Sequence, residues 1–394
     1  MLDAFILGKG ALYSADSAIT GVNNNIIVCG GTGCGKSLSV AVPSFLVTFD
    51  SSVAITVSDK EFIDSNAPLF REYGYDVKVL NTADPEKSDI TFNPLSHMRC
   101  AEDTADLARS ILTANRKDSE PFWESAARDL LESEIIAVVC TEDNPTFSDV
   151  LDFHNLLAAN NIVFGDYTEV FEKLKTDSRA GAYAASKWAN IDSFNELVYS
   201  RIYSAVSEGL TRMTGLKVRK ITDTDNEFDF RSIAERKTAV FVYVPAAGKA
   251  QSVLSDLFYG QLIKELTESA LVAGEKTRVP VRLILDDFGR GTEIPGFAER
   301  IDTFPEADIS AMMMIRSNRQ LRNVYGRCGA SAIIDGCDTY VYMGGTDPAT
   351  AGYVAKRMGV SQSFVLFMPT NTEIILRRGS KPFITEKCDL LFAA

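Results

Sequence analysis

The sequence predicts an α/β protein: a mostly parallel sheet with helices between its strands, interrupted by an inserted all-α segment. Three observations carry that expectation. Short apolar runs rich in β-branched residues alternate with helix-length stretches near both ends of the chain. The later runs are apolar almost without interruption, as strands covered on both faces must be. The middle of the chain carries apolar residues at i, i+3, i+4 and i+7 instead, the spacing of helices with one buried face.

In chain order, the first strands are expected at "NNIIVCG" (24–30), "SVAITVSD" (52–59) and "YDVKVLN" (75–81). Helices are expected between them, over 36–48 and 61–73. Strand, helix, strand in this rhythm reads as parallel βαβ units with right-handed crossovers. Helical periodicity then runs through 101–115, 122–140, 147–160, 167–175 and 196–213, with Ser148 a candidate N-cap. The strand rhythm returns at 238–245, 281–287, 309–317 and 338–344, with a long helix over 252–274. The tail pairs "TEIILRRG" with "KPFITEKCDL" as an edge hairpin. The expected domains are therefore 1–94, the first part of an α/β domain; 95–235, an inserted all-α domain; and 236–394, the second part of the α/β domain.

The chain has 394 residues, enough for roughly two to three domain-sized units. Its formal net charge of −13 argues against a nucleic-acid binder that uses its whole surface, because phosphate neutralisation needs clustered Lys and Arg. A local basic channel is compatible with that charge. The seven cysteines form no C-x-x-C pair and the two histidines are far apart, so a structural zinc site is not expected. An odd number of scattered cysteines fits a reducing compartment. No apolar run approaches the ~18 residues of a membrane-spanning helix, so a soluble chain is expected.

The chemistry is concentrated in two places. "GGTGCGKS" (30–37) satisfies G-x-x-x-x-G-K-S, between an apolar strand and an amphipathic helix. Such glycines let the backbone wrap a phosphate more closely than any residue with a Cβ allows. Successive N–H groups and the following helix N-terminus then face the anion. Gly30, Gly31, Thr32, Gly33, Cys34, Gly35, Lys36, Ser37 and Leu38 are the candidate nucleotide-binding residues. Lys36 is expected to bridge the β- and γ-phosphates of ATP, and the Ser37 hydroxyl to ligand Mg²⁺. Cys34 reads as a small filler.

The second place is "VRLILDDFGR" (281–290), an apolar run that ends in two acids. Asp286 is the candidate Mg²⁺-side carboxylate and Asp287 the candidate general base or water-orienting group. Aspartate is one methylene shorter than glutamate, and a misplacement of ~1 Å can cost ~10²-fold in rate. A slow ATPase is within that expectation.

With these residues in view, the chain resembles the coupling-protein ATPases of type IV secretion and conjugative DNA transfer, the TraG-like proteins, which are related to the FtsK and HerA pumps. The stretches that carry the resemblance are "VCGGTGCGKS", "VSDKEF", "DPEKSDITFNPL", "PFWESA", "RSIAERKTAVFVYVP", "LILDDFGRGTEIPGFAERIDTF", "IRSNRQLRNVYG" and "CDTYVYMGGTDPATAGYVAK". They cover nearly the whole chain in the family's order. The resemblance implies a RecA-like P-loop NTPase with an inserted all-α domain. It implies an ATP-driven motor with ATP and Mg²⁺ as cofactors, working as a homohexamer at the cytoplasmic face of a bacterial membrane. Its implied partners are a relaxase–DNA complex or a secreted protein, DNA itself, and the ATPases and membrane components of the secretion channel. Members usually carry an N-terminal membrane anchor; no stretch of these residues is expected to be one, which fits either an anchor lying outside them or a soluble short member.

Four positions depart from the family pattern. Asp287 stands where Glu is usual. Arg316, in "IRSNRQL", replaces a Gln that senses the γ-phosphate and is therefore a candidate catalytic residue with Lys36, Asp286 and Asp287. Pro305, Glu306 and Ala307 stand where an arginine finger is usual, with Arg300 or Arg316 as substitutes. "SDKEF" (58–62) lacks the usual Pro and Gly. These departures keep a second reading open, a nucleotide-binding cargo receptor with weak or absent hydrolysis. A third reading is an FtsK- or HerA-type DNA translocase. Beyond the site, Arg212, Lys217, Arg219 and Lys220 form either a partner-facing patch or a solvated helix end. Arg319 and Arg322 share a helical face. The Met312–Met314 run reads as core strand, Trp123 as an anchor, and His97 and His154 as ordinary polar residues.

Overall fold

Among the described residues, eleven segments satisfy backbone hydrogen bonds by strand pairing. In the computed structural model, which describes residues 3–98, 100–113, 121–159, 165–224, 227–245, 249–274 and 276–388, they are β1 (Ala4–Ile6), β2 (Leu12–Ser14), β3 (Ile26–Cys29), β4 (Ser52–Val57), β5 (Asp76–Asn81), β6 (Thr238–Tyr243), β7 (Val281–Leu285), β8 (Ile309–Ile315), β9 (Thr339–Tyr342), β10 (Thr372–Arg377) and β11 (Phe383–Glu386). The ends of the helical and hairpin segments expected at 114–115, 160 and 389–390 lie outside the described residues.

Nine strands form one sheet in the order β11-β10-β9-β3-β8-β7-β4-β6-β5, and β1 with β2 forms a small antiparallel ribbon. The pairs of β3 with β8 and β9, of β7 with β8 and β4, and of β4 with β6 are all parallel. β10 pairs antiparallel with β9, and β11 antiparallel with β10, so the tail is the expected edge hairpin. β3, β8, β7 and β9 are buried at every position, the reason their sequences lack polar alternation. Met312, Met313 and Met314 lie inside β8 as core residues.

The chain divides into two compact units. The first comprises Met1–Val79, Asp229–Tyr243 and Leu262–Ala394 and holds the sheet's centre. Its core is aromatic on one side of the sheet. Phe45 stacks on Phe70 at 4.4 Å and meets Phe241 edge-on at 5.5 Å. The helix Lys60–Glu72 begins at Asp59, whose side chain accepts from Glu61 N–H.

The second unit comprises Leu80–Phe228 and Val244–Gln261 and is built mainly of helices. Its central helix, Pro121–Thr141, buries apolar residues around much of its circumference and two acids as well. Glu132 accepts from Tyr183 Oη at 2.8 Å and pairs with Lys187 at 3.0 Å. Glu134 faces His154 Nδ1 at 2.7 Å, and His154 Nε2 lies 2.8 Å from Ser207 Oγ. His154 is fully buried, and so not the ordinary polar residue the sequence suggested.

Two further expectations change here. The helix Phe147–Ala159 is capped by Thr146, not Ser148. Asp149 accepts from Thr146 N–H, and Thr146 Oγ1 accepts from Asp149 N–H, a reciprocal box that leaves Ser148 inside the first turn. The basic window is a paired surface. Arg219 pairs with Asp223 at 2.9 Å, Lys220 with Glu86, Lys217 Nζ donates to the Ala83 carbonyl, and Arg212 donates to the Ile111 carbonyl. Trp123 anchors a local cluster, edge-on to Phe122 and covered by the Arg201 guanidinium at 4.2 Å.

Candidate functional site

β3, β8 and β7 are neighbours and parallel, so the residues that follow them leave the sheet at one edge. Such an edge is where open α/β sheets bind ligands. It gathers the glycine loop after β3, the acid pair after β7 and Arg316 after β8.

The loop turns through two left-handed glycines, Gly33 (φ 75°) and Gly35 (φ 88°). A side chain at either would be strained. Gly30 N–H donates to the Ile315 carbonyl at 3.0 Å and Gly31 N–H to the Gly344 carbonyl at 2.9 Å, so the loop is fixed to the strands on both sides. A Cβ on Gly30 would lie 2.5 Å from Cys34 Sγ; the cysteine fills the space the glycine leaves. Thr32 and Leu38 are exposed at the rim.

The helix after the loop is not the continuous α-helix expected over 36–48. It opens as a π-helical turn, Ser37–Ala41, with Val42 N–H bonded to the Ser37 carbonyl, and continues as Val42–Leu46. Pro43 has no N–H to give the fourth carbonyl before it, and the wider turn accommodates that loss.

Lys36 is buried. Its ammonium donates to the carbonyls of Gly30 (2.7 Å) and Gly31 (3.0 Å), both inside its own loop. Ser37 Oγ donates to Asp286 Oδ2 at 2.6 Å. Burial pushes the Asp286 carboxyl above the usual range and the neighbouring Asp287 charge adds to it, while the Ser37 hydrogen bond and the Lys36 charge pull it back. The Ser37 hydroxyl and the Asp286 carboxylate are hard-oxygen donors beside an anion cradle, which fits Mg²⁺ shared with phosphate oxygens.

Asp287 occupies the left-handed region (φ 52°), uncommon for a residue with a side chain. Its N–H donates to Asp286 Oδ1 at 2.9 Å. Its carboxylate lies between two guanidiniums, Arg290 at 3.1 Å and Arg316 at 3.5 Å. Gln320 ties these parts together. Its Oε1 accepts from Arg316 N–H at 2.8 Å, and its Nε2 donates to the Gly289 carbonyl at 2.8 Å and that of Phe288 at 3.3 Å. The helix carrying it, Asn318–Asp335, is capped by Ser317, which accepts from Gln320 N–H.

The structure thus brings Lys36, Ser37, Asp286, Asp287 and Arg316 to one edge. Arg300 folds back over the bare Cα of Gly296 instead. Arg290 and Gln320 belong to the arrangement and were not among the residues the sequence singled out. Their signal was short-range: Gln320 lies three residues past a serine cap, and Arg290 three past Asp287.

Residues 3–363 match a family described as Type IV secretory system Conjugative DNA transfer. Three solved structures are similar in fold. The plasmid coupling protein TrwB in complex with ADP and Mg²⁺ aligns at 17% identity and TM-score 0.66, over 93% of this chain and 86% of that one. TrwB with the non-hydrolysable ATP analogue ADPNP aligns at 16% and 0.65, over 94% and 88%. VirB4 of Thermoanaerobacter pseudethanolicus aligns at 15% and 0.61, over 98% and 96%. No curated protein sequence matches the chain. At these identities the likeness is one of fold: a RecA-like P-loop NTPase with a mostly parallel sheet and an all-α domain, the class expected from the sequence.

Proposed function

The chain belongs to the conjugative DNA-transfer family of type IV secretory systems, and from that premise we propose that it is an ATP-dependent coupling protein. It recruits a DNA–relaxase complex or a protein substrate to the secretion channel and drives transfer by ATP hydrolysis as a homohexamer. It works at the cytoplasmic face of a bacterial membrane, beside the channel's ATPases and membrane components. Among the described residues no helix is long and apolar enough to cross a membrane. In this reading the domain inserted into the motor is the segment 95–235, most of which falls in the helical unit Leu80–Phe228.

The observation that carries this reading is the convergence at the sheet edge of Lys36, held by its own loop carbonyls, with Ser37 hydrogen-bonded to Asp286. The N–H groups of residues 32, 33 and 35–38 bind the phosphates, while the Gly31 and Cys34 N–H groups stay on backbone carbonyls. Lys36 exchanges its two loop carbonyls for phosphate oxygens. Ser37 and Asp286 would hold Mg²⁺, which would supply charge neutralisation at the phosphoryl group and help to orient it. Asp287 accepts a hydrogen bond from the attacking water and aims it. Arg316 and Arg290 hold the Asp287 carboxylate in place. Arg316, exposed and at hydrogen-bonding range of Asp287, is the residue free to turn toward a γ-phosphate.

The test is ATP turnover across a range of protein concentrations, with and without long DNA. Turnover above that of Lys36→Ala, rising with protein concentration, is expected. Wild-type turnover equal to Lys36→Ala under all those conditions would refute the motor.

A second reading is a nucleotide-binding cargo receptor with little hydrolysis. It is favoured by one observation: guanidiniums engage both Asp287 carboxylate oxygens, the atoms that would otherwise accept from water. Under that reading, Asp287→Glu with Arg316→Gln leaves turnover at the Lys36→Ala level.

A further inference from the structure

The phosphate cradle is held from outside by a residue 353 positions away in sequence. Lys387 follows β11, at the sheet edge. Its backbone N–H donates to the Asn371 carbonyl at 2.9 Å, which anchors it at the base of the hairpin. Its ammonium donates to the Cys34 carbonyl at 2.8 Å and the Met343 carbonyl at 3.1 Å. Cys34 lies within the glycine loop. Met343 follows β9, next to the Gly344 carbonyl that receives Gly31 N–H. One ammonium therefore ties the loop to the strand beside it.

The peptide plane gives that contact a consequence. In a trans peptide the C=O of one residue and the N–H of the next point in opposite directions. The Cys34 carbonyl is directed to Lys387, so the Gly35 N–H is directed away from it. Among the described residues the Gly35 N–H has no hydrogen-bond partner, although its carbonyl accepts from Ser39 N–H. Gly35 has φ 88° and could rotate freely without an anchor. A cation on the carbonyl also polarises the peptide, which strengthens the N–H as a donor.

We propose that Lys387 is a positioning residue for nucleotide binding: it fixes the Cys34–Gly35 peptide so that the Gly35 N–H is presented to a phosphate oxygen. The inference rests on the reading of residues 30–38 as a nucleotide phosphate cradle. It assigns the C-terminal hairpin a part in that site. Lys387 touches no reacting atom; it acts through the loop backbone, on ground state and transition state alike.

The experiment compares wild type with Lys387→Met, which keeps the aliphatic stem and removes the charge, and with Lys387→Arg, which keeps a cationic donor. Calorimetry with ADP and with adenosine separates phosphate recognition from base recognition. Lys387→Met should weaken ADP by about 10-fold, the scale of one hydrogen bond to a charged group, and leave adenosine unchanged. Lys387→Arg should recover most of the loss. In turnover KM should rise with kcat nearly constant, the signature of uniform binding. If Lys387→Met does not fold, as judged by its melting curve, Lys387→Gln supplies the same comparison. ADP affinity in the charge-removing variant equal to wild type, or an equal loss for adenosine, overturns the proposal and leaves the motor reading standing. A wild type that does not bind ADP at all overturns both.

Discussion

Replacing Glu373 by glutamine should stabilise the protein at mildly alkaline pH and change little near pH 4. Glu373 lies on β10, opposite Thr385 of β11, and is fully buried. Neither carboxylate oxygen has a hydrogen-bond partner among the described residues. One of them sits where a Cβ on Gly8 would be, so the ribbon packs directly over it. Burial pushes its pKa from 4.5 to about 8, and the Lys387 charge pulls it back only in part.

The sign follows from comparing the two states. Below about 4.5 the carboxyl is protonated in folded and unfolded chains alike, and its contribution to stability is complete. Between about 4.5 and 8 the unfolded chain releases the proton and the folded chain keeps it, so stability falls as pH rises. Above about 8 both are ionised and the loss is complete. That interval, at about 1.36 kcal/mol per pH unit, corresponds to a loss of up to about 5 kcal/mol. Glutamine has the same shape and cannot ionise, so it removes the pH-dependent part. Urea unfolding followed by circular dichroism, for both proteins at several pH values from 4 to 9, measures it. A wild-type-to-variant difference that stays constant over that range, or that favours wild type as pH rises, would refute the reasoning.

Two further expectations can be measured directly. Asp286→Asn keeps an acceptor for the Ser37 hydroxyl but removes the charge, so the Mg²⁺ concentration for half-maximal turnover should rise by roughly 10- to 100-fold; a metal titration of ATPase rate reads it. Phe45→Ala empties a fully buried position stacked on Phe70 and edge-on to Phe241. It should cost about 3–5 kcal/mol, measured as a shift in the urea midpoint at constant slope.

Much of the fold was legible because it is locally encoded. The strands β3, β7, β8 and β9 were visible as apolar runs, and the helices of the second unit as 3.6-residue periodicity. What misled was equally local. "FSDVLDF" offers Ser148 as a cap, yet Thr146 with Asp149 makes the better reciprocal pair. "VRLIL" hides Arg282, which is buried in β7, donating to Ser310 Oγ and the Ala15 carbonyl. Its partners come from elsewhere in the chain, so no window around it announces them. The same holds for His154, whose burial depends on Glu134 and Ser207 from two other helices.

By itself the sequence determined the glycine cradle, the acid pair and the element types. Backbone conformation at glycine, apolar periodicity and a hydroxyl beside a lysine are properties of neighbouring residues. Only the tertiary structure decided what those residues face. The order β3-β8-β7 sets Ser37 against Asp286 across 249 residues and Arg316 against Asp287 across 29. The antiparallel tail on β9 delivers Lys387 to the Cys34 carbonyl. Strand order is set by how whole elements bury their faces against one another, and that is a property of the folded chain, not of any stretch of it.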